Sequence, residues 1–395
     1  MEHLLAPLAF EGPFPLSDRP PTIAEPCRIA VHRDLTELAA DWIGLEARVA
    51  GSVFQSHAWC SAWAAASRRA GCPTAARIVT VWSGGRLVLL WPLAVRRLGP
   101  FRVLHGFAHP ATQSCDALVE AGPAQGRWLE LAWDAIRGMG GVDAVHVTGV
   151  RDDAAIAPLV ASRQPAQVTR TDAAPFADFR PSAPPMRRRS GRTRNALQRH
   201  LRHLSEHGAP VFEVIADGPS RVRAIREMLA LKHAWLARTG KLSAGYAHPA
   251  NDAFLAMLAR RDDFLVVRLT VGGTTAAIEG GTLRDGRYAS LVQSYDERFA
   301  AHGPGRLVFW HMVERAADLG IDVLDFLAPT CRHKAEWANG SMPVRDTLVP
   351  LRARGWLIAA YVRRLRPLLK RCAALLPRPT RPASGDAPPP DAGSR

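Results

Sequence analysis

The side chains best suited to proton transfer lie in the last third of this 395-residue chain. Glu279 ends an apolar run, and Asp325 alternates with apolar residues between Ile321 and Leu327. Burial of a carboxyl group favours its neutral form and brings it closer to the range of a general base at neutral pH. An ion pair or a turn cap is the alternative for each of these carboxylates. The predicted catalytic candidates are Glu279, Asp296, Asp325 and Lys334.

A glycine loop separates a predicted strand, Tyr288 to Tyr295, from a predicted helix. The loop reads His302-Gly-Pro-Gly-Arg306, and apolar residues then recur at steps of three and four as far as Gly320. The first N–H groups of a helix have no partner within the helix and can bind an anion. The residues predicted to hold the phosphates of a cofactor are Gly303, Gly305, Arg306 and Leu307.

The strongest charge feature is the stretch from Arg187 to His203, which contains seven arginines and no acidic residue. Leucines at helical spacing predict an amphipathic helix with an arginine face. This face is either solvated or a clamp for phosphate groups, which the planar guanidinium binds in a bidentate manner. His333 and Lys334 are positioned to hold an anionic acceptor. The residues predicted to bind substrate are Arg192, Arg194, Tyr295, His333 and Trp337.

Composition indicates a globular α/β (α+β) protein rather than a disordered or membrane-spanning one. Hydrophobic residues make up 47% of the chain and charged residues 22%, and no apolar run reaches the ~20 residues of a membrane-spanning helix. The net charge of +15 favours anionic partners. The six cysteines include no CxxC pair, so we expect neither a metal site nor a disulfide framework, and we expect a cytoplasmic location.

Composition shifts also predict the domain organisation. The second half reads as helices, an antiparallel meander and the glycine loop, so each half is expected to hold a mixed, mainly antiparallel sheet flanked by helices. The basic segment after the second domain is either a packing helix or a peripheral contact with an anionic membrane. The predicted segments are a disordered leader (1–27), an N-terminal domain (28–174), a proline-rich linker (175–186), a C-terminal domain (187–352), a basic amphipathic helix (353–376) and a disordered tail (377–395).

The two halves share an internal repeat. Gly126-Arg127, followed by Gly141, has the same spacing as Gly305-Arg306, followed by Gly320, and the two units lie 179 residues apart. A Gly-Pro pair precedes both units. Two loop–helix–strand units of equal length indicate a duplicated domain. The tighter glycine loop places the working site in the second copy.

Five motifs, taken in order, resemble the GNAT acyltransferase superfamily, in particular the CelD/BcsL-type acetyltransferases related to the Fem peptidyltransferases. They are the arginine-rich helix ending at Gly208, the Ser294-Tyr295-Asp296 corner, the Pro304-Gly305 loop, the Asp325-Phe326-Leu327 run and Lys334 with Trp337. The resemblance covers about residues 28–350 and implies two tandem GNAT-like domains. It also implies acetyl-CoA or another acyl-CoA as cosubstrate, with its pyrophosphate at the glycine loop. His333 departs from the tyrosine that commonly precedes the family lysine.

Three functions follow from the resemblance and the charge pattern. The first is acyl transfer from acyl-CoA to a small molecule or a saccharide, as in exopolysaccharide or cellulose synthesis. The second is a Fem-like transfer from aminoacyl-tRNA, in which the arginine helix would hold the RNA backbone. The third is a non-catalytic module of a polysaccharide-synthesis complex. The sequence carries no helix-turn-helix or zinc signature, so a sequence-specific nucleic-acid partner is not expected.

Overall fold

The computed structural model describes residues 26–163, 165–184 and 191–362, with side chains from Arg194 onward in the last range. The strands are β1 (Cys27–His32), β2 (Ala75–Ser83), β3 (Arg86–Leu98), β4 (Phe101–Gly106), β5 (Leu118–Val119), β6 (Ala144–Arg151), β7 (Gln167–Asp178), β8 (Pro210–Val214), β9 (Phe264–Val271), β10 (Thr274–Arg284), β11 (Arg287–Tyr295), β12 (Val323–Asp325) and β13 (Gly340–Pro350).

The α-helices cover both faces of the sheet that these strands form. They are α1 (Ala39–Glu46), α2 (His57–Arg69), α3 (Gln125–Gly138), α4 (Ala157–Ser162), α5 (Gly191–Ser205), α6 (Gly218–Thr239), α7 (Asn251–Leu258), α8 (Pro304–Glu314), α9 (Arg332–Ala335) and α10 (Ala353–Ala360). Short 3₁₀ turns lie at Thr36–Leu38, Val53–Gln55 and Glu297–His302. Ser56 and Asp217 cap α2 and α6 by accepting N–H bonds with their side chains.

All described strands belong to one mixed sheet, in the order β1-β2-β3-β4-β6-β13-β7-β12-β11-β10-β9-β8, with β5 on β3. Two of the pairs are parallel, β4 with β6 and β11 with β12, and the other pairs are antiparallel. The mixed, mainly antiparallel sheet flanked by helices is the predicted fold class, and the structure confirms it.

The sheet order repeats the sequence duplication. In each half, four strands form an antiparallel meander, β1–β4 or β8–β11, and the fourth strand pairs in parallel with the strand that follows a helix. That helix is α3 in the first half and α8 in the second, the two helices of the repeated unit. The last strand of each half then crosses over: β7 pairs with β12, β13 pairs with β6, and β7 pairs with β13. The halves are therefore joined by exchanged strands.

The strand pairing corrects the start of the predicted linker and shows where the last strand of the second half lies. Residues 175–178, assigned to the linker, lie within β7, where the Pro175 carbonyl accepts a hydrogen bond from Phe326 N at 3.0 Å. Pro175 has no N–H but still offers this acceptor, so a proline-rich composition did not exclude a strand. In addition, β13 belongs to the second half by sequence but lies between β6 and β7 of the first. Except for residue 26 and the first residue of β1, the predicted leader lies outside the described residues, as do the end of the basic segment and the tail.

One hydrophobic core spans both halves. Trp42, Trp59 and Trp63 of α1 and α2 pack with Phe254 of α7 and Ile225 of α6, all buried. A second core lies between α3, α4 and the first-half strands, and a third between α5, α8 and the second-half strands. The shared core and the exchanged strands fix the two halves against each other, so residues of both can line one cavity.

Candidate active site

A cavity of about 720 Å³ lies between the halves, beside β11. Its walls come from α2, α6, the loop between α6 and α7, the loop after β4, and the segment after β12. The polar and aromatic side chains that line it are Trp59, Gln113, Lys232, Trp235, Lys241, Tyr246, Ser290, Gln293, Tyr295, His333 and Lys334. Phe309 of α8, on the opposite face of the sheet from α6, also lines it, so the cavity reaches both faces.

The cavity opens where β11 and β12 part. Their parallel pairing involves only Arg287–Ala289 and Val323–Asp325, whereas β11 stays paired with β10 as far as Tyr295. The second half of β11, residues 290–295, therefore keeps one edge without a neighbouring strand among the described residues. Such an edge presents N–H and C=O groups that can bind an extended ligand.

Glu279 lies at the base of this cleft on β10 and is fully buried. Its Oε1 accepts hydrogen bonds from the hydroxyl groups of Ser290 at 2.6 Å and Tyr288 at 3.3 Å, and Oε2 has no partner in the described structure. Burial raises the pKa of Glu279 to about 8, against the opposing effects of the two hydroxyl groups, Lys334 and Lys232. Ser290 lines the cavity, so it connects the buried carboxyl group with the cleft.

Lys334 lies on α9, and its charge acts to lower the pKa of the Glu279 carboxyl group. Its Nζ donates to the carbonyl oxygens of Leu327 at 3.0 Å and Pro329 at 3.2 Å. Burial lowers the pKa of Lys334, while the neighbouring Cys331 and Glu279 act in the opposite direction. His333 also lines the cavity, and its Nδ1 lies 3.3 Å from Cys331 Sγ. Two of the four predicted catalytic candidates, Glu279 and Lys334, therefore lie close enough for the charge of each to shift the pKa of the other.

Sequence reasoning missed two lysines of this site. Lys232 Nζ donates to Gln293 O at 3.3 Å and lies 4.8 Å from the ring of Trp235, which Lys241 Nζ approaches at the same distance. Burial lowers the pKa of Lys232. The chain has only four lysines among its 51 basic residues, and three of them, Lys232, Lys241 and Lys334, line this cavity. The scarcity of lysine in so basic a chain was the feature of the sequence that could have singled these residues out.

The start of α8 provides fewer free N–H groups than we predicted from the sequence of the glycine loop. Gly303 adopts a left-handed conformation at φ 55°, and its carbonyl oxygen accepts from Arg306 N at 2.9 Å and Leu307 N at 3.2 Å. Pro304 has no N–H, so only the Gly305 N–H of this first turn remains for a ligand. Gly305 packs against Gln293, whose Oε1 would lie 2.9 Å from an added Cβ.

Basic and imidazole groups gather around this helix start. Arg306 forms an ion pair with Glu336. On the neighbouring α5, burial lowers the pKa of His200, and the positive charge of Arg306 lowers it further. The rings of His203 and His207 lie 6.0 and 5.5 Å from His302. The arginine helix therefore packs beside the glycine loop. Arg194 is exposed on α5 away from the cavity walls, and the side chain of Arg192 lies outside the described residues.

Two predicted catalytic carboxylates have structural roles. Asp296 caps the turn Glu297–His302 by accepting from Arg298 N, and it forms an ion pair with Arg298, whose hydrogen bonds lower the pKa of Asp296. Asp325 Oδ2 accepts from Arg151 at 2.8 Å and Arg287 at 2.9 Å, and Oδ1 accepts from Leu327 N. Both therefore follow the alternative interpretation, a turn cap for Asp296 and ion pairs for Asp325, because donors of the protein itself occupy their oxygens.

Of the residues predicted to bind substrate, some line the cavity and others do not. Tyr295 and His333 line the cavity. Trp337 is fully buried in the core beneath α8, so its assignment to substrate binding is corrected: its spacing from Lys334 reflects packing of α9 onto the sheet. Among residues 26–163, 165–184 and 191–362, no cluster of histidine, cysteine, aspartate or glutamate is arranged to hold a metal ion.

Comparison with known proteins agrees with this geometry. Residues 191–335 match the family model of the acetyltransferase (GNAT) domain. The fold is GNAT-like. The matched segment runs from α5 to α9 and contains Glu279, the parting of β11 from β12, the glycine loop and Lys334. No curated protein matches the sequence at a significant level.

Several solved structures share the fold across both halves. The C-terminal domain of a putative lysylphosphatidylglycerol synthetase from Agrobacterium fabrum superposes with a TM-score of 0.50 and 13% identity, covering 82% of this chain and 95% of that one. FemX gives a TM-score of 0.50 at 10% identity, covering 80% and 96%. A conserved protein of unknown function from Bacteroides thetaiotaomicron gives 0.51 at 13%, covering 82% and 100%. Within the described part of the chain, no helix has the length and apolar character to cross a bilayer.

Proposed function

We propose that this protein transfers an acyl group from acyl-CoA to an anionic acceptor in the 720 Å³ cavity. One observation carries this proposal: the buried Glu279 carboxyl group hydrogen-bonds to Ser290 at the point where β11 loses its neighbouring strand. A base and a free strand edge therefore meet at one place. The GNAT domain match supports acyl-CoA as the donor.

The donor would lie along the free edge of residues 290–295. Strand N–H and C=O groups there suit the amide groups of an extended acyl-carrying arm. At the end of this edge, the Gly305 N–H, the basic residues of α5 and Arg306 suit the phosphate groups. Arg306 would have to exchange its ion pair with Glu336 for the phosphate. In this arrangement the thioester would lie near Ser290 and Lys334.

In the reaction, Ser290 would take the proton of the acceptor nucleophile and pass its own proton to Glu279. The nucleophile then attacks the thioester carbonyl carbon, the C–S bond breaks, and the CoA thiolate leaves and takes up the proton that Glu279 received, passed back through Ser290. The Lys334 ammonium group would stabilise the oxygen that becomes negative in the tetrahedral intermediate, as an oxyanion donor does. A lysine near the acceptor is also what the family resemblance implies.

The acceptor would enter from the side of α6. Lys232 and Lys241 flank the ring of Trp235, and Tyr246 lies beside Lys232 with their groups 5.5 Å apart. Cations beside aromatic rings suit a ligand that combines a phosphate or carboxylate with an apolar face, and a sugar ring offers such a face. We propose a phosphorylated saccharide precursor, of the type used in exopolysaccharide or cellulose synthesis, as the acceptor class.

The proposal is tested by thiol release from acetyl-CoA with a panel of amino-sugar phosphates, nucleotide sugars and their unphosphorylated counterparts. Mass spectrometry of the products identifies the acylated acceptor. We expect turnover with phosphorylated acceptors, and Lys241→Met should raise KM for them about tenfold. Turnover that needs no anionic group would contradict the acceptor class, and a lack of turnover with every acceptor would contradict the enzyme assignment.

A further inference from the structure

A second cavity, of about 350 Å³, lies between the halves on the far side of Leu327 from Lys334. We call it the arginine cavity, because three arginines line it: Arg151, Arg284 and Arg287. It also has apolar walls from Val53, Phe54, Ala289 and Leu327. None of the acyl-transfer steps proposed above uses it.

The sheet register explains the floor of this cavity. Thr282 of β10 pairs with Ala289 of β11, which in turn pairs with Asp325 of β12, so their three side chains share one face. Arg284 and Arg287, paired in the same strands, form the neighbouring row on that face. The small side chain of Ala289 leaves a hollow between the Thr282 hydroxyl and the Asp325 carboxylate.

Two side chains on the floor of the cavity, Thr282 and Arg287, have polar groups without a hydrogen-bond partner among the described residues. The Thr282 side chain is 2% exposed, and its hydroxyl has no partner among the described residues. A buried hydroxyl without a partner is unfavourable and points to a missing ligand or water. Arg287 donates only through Nη1, to Asp325, within the described structure, and its side chain is 43% exposed. Its remaining N–H groups are available for a carboxylate.

The roof carries the opposite charge. Asp116, from the first half, accepts hydrogen bonds from the backbone N–H groups of Ala117, Ala155 and Ile156. Among the described residues no cationic side chain forms an ion pair with it, in contrast to Asp153 and Asp325, which both pair with Arg151. Its burial raises the pKa of Asp116 to about 6, and an ammonium group beside it would restore the charged form.

We propose that the arginine cavity binds a small zwitterionic amino acid with an apolar side chain. Its carboxylate would accept from Arg287 and the Thr282 hydroxyl, its ammonium group would lie against Asp116, and its side chain would contact Phe54, Val53 and Leu327. A dianion such as phosphate fits less well, because Asp116, Asp153 and Asp325 would repel it. This site does not depend on the acyl-transfer proposal, and its occupancy can be measured without acyl-CoA.

The experiment is calorimetric titration of the full-length protein with L-leucine and with 4-methylpentanoate, the same molecule without the amino group. We expect saturable binding of L-leucine, at least fivefold weaker binding of 4-methylpentanoate, and at least tenfold weaker binding of L-leucine by Arg287→Gln. Arg268→Gln, which removes a surface arginine paired with Glu213 outside this cavity, is the matched control and should bind as the wild type does.

Arg287→Gln also removes an ion pair of Asp325, so a second variant separates binding from folding. Thr282→Val removes the unpartnered hydroxyl with little change in shape, and it should keep or raise the melting temperature while weakening L-leucine binding at least threefold. Absence of saturable binding to the wild type would overturn the proposal. Equal binding of the two probes, or unchanged binding by both Arg287→Gln and Thr282→Val, would also overturn it.

Discussion

The carboxylate of Asp325 and the ammonium group of Lys334 bind the same residue, Leu327, from two sides. Asp325 Oδ1 accepts from Leu327 N at 2.9 Å, and Lys334 Nζ donates to Leu327 O at 3.0 Å. Leu327 has a left-handed conformation, φ 57°, which costs about 1–2 kcal/mol for a residue with a Cβ. These two contacts hold it there. Because Arg151 of the first half pairs with Asp325, the first half helps to position Lys334.

The first prediction concerns this link. Asp325→Asn leaves two arginines without their shared partner, so it should lower the free energy of unfolding by about 3–5 kcal/mol. Thiol release should also fall, because Lys334 loses its fixed position. Asp296→Ala removes a turn cap and an ion pair with the exposed Arg298, so it should cost about 1–2 kcal/mol and spare activity. Urea unfolding and thiol-release assays of both variants make the comparison, and equal effects would contradict a positioning role for Asp325.

The second prediction concerns proton transfer. Glu279→Gln should lower kcat about 10²–10⁴-fold with little change in KM for acyl-CoA, because it removes the base but not the cleft. Ser290→Ala should also lower kcat, since the carboxyl group reaches the cavity through that hydroxyl. In the wild type, kcat should rise with pH up to about 8, where Glu279 loses its proton. Wild-type activity in Glu279→Gln would show that another group is the base.

The third prediction is the pH dependence of stability. The pKa of Glu279 is raised from 4.5 to about 8 in the folded state. Between those values the folded state binds more protons than the unfolded state, so stability must fall as pH rises from about 5 to 8. The loss should amount to a few kcal/mol at most, since one pKa unit corresponds to about 1.4 kcal/mol.

Glu279→Gln should remove the loss of stability with rising pH, because glutamine does not titrate. Near pH 5 the variant should be no more stable than the wild type, and near pH 8 it should be more stable. Urea unfolding of both proteins across this range provides the measurement. Glu297→Gln, on an exposed turn, is a matched control that should keep the pH dependence of the wild type. Parallel pH curves for the wild type and Glu279→Gln would show that the carboxyl group is not protonated in the fold.

Local patterns in the sequence were sufficient to predict most elements and the duplication. The repeated glycine–arginine unit predicted α3 and α8, and the strand–turn–strand patterns predicted β9, β10 and β11 of the second meander but not β8. Neither β7 nor β13 was predicted as a strand, and their crossing was not predictable from local patterns, because pairing between distant strands leaves no pattern within either strand. Glu279 was found because an acidic residue interrupts an apolar strand.

Long-range pairing set the limits of the site prediction. Asp325 has the same burial pattern as Glu279, but its Oδ2 accepts a hydrogen bond from Arg151, 174 positions away in the chain. Lys232 on α6 and Lys241 in the loop after it were missed because these segments reach the cleft only through tertiary packing. Trp337 was misassigned because its spacing from Lys334 does not reveal whether the ring faces the core or the cavity.

Binding of acetyl-CoA tests the central claim most directly. Calorimetric titration should show saturable binding by the wild type and none by Gly305→Glu, whose side chain would meet Gln293 and place a negative charge at the phosphate site. Gly126→Glu, at the matching position of the first-half repeat, has open space around its Cβ and should bind normally. Arg306→Glu, which adds no clash, should weaken binding at least tenfold. If the folded wild-type protein binds no acyl-CoA of any chain length, or if the helix α8 variants bind as tightly as the wild type, the account is contradicted.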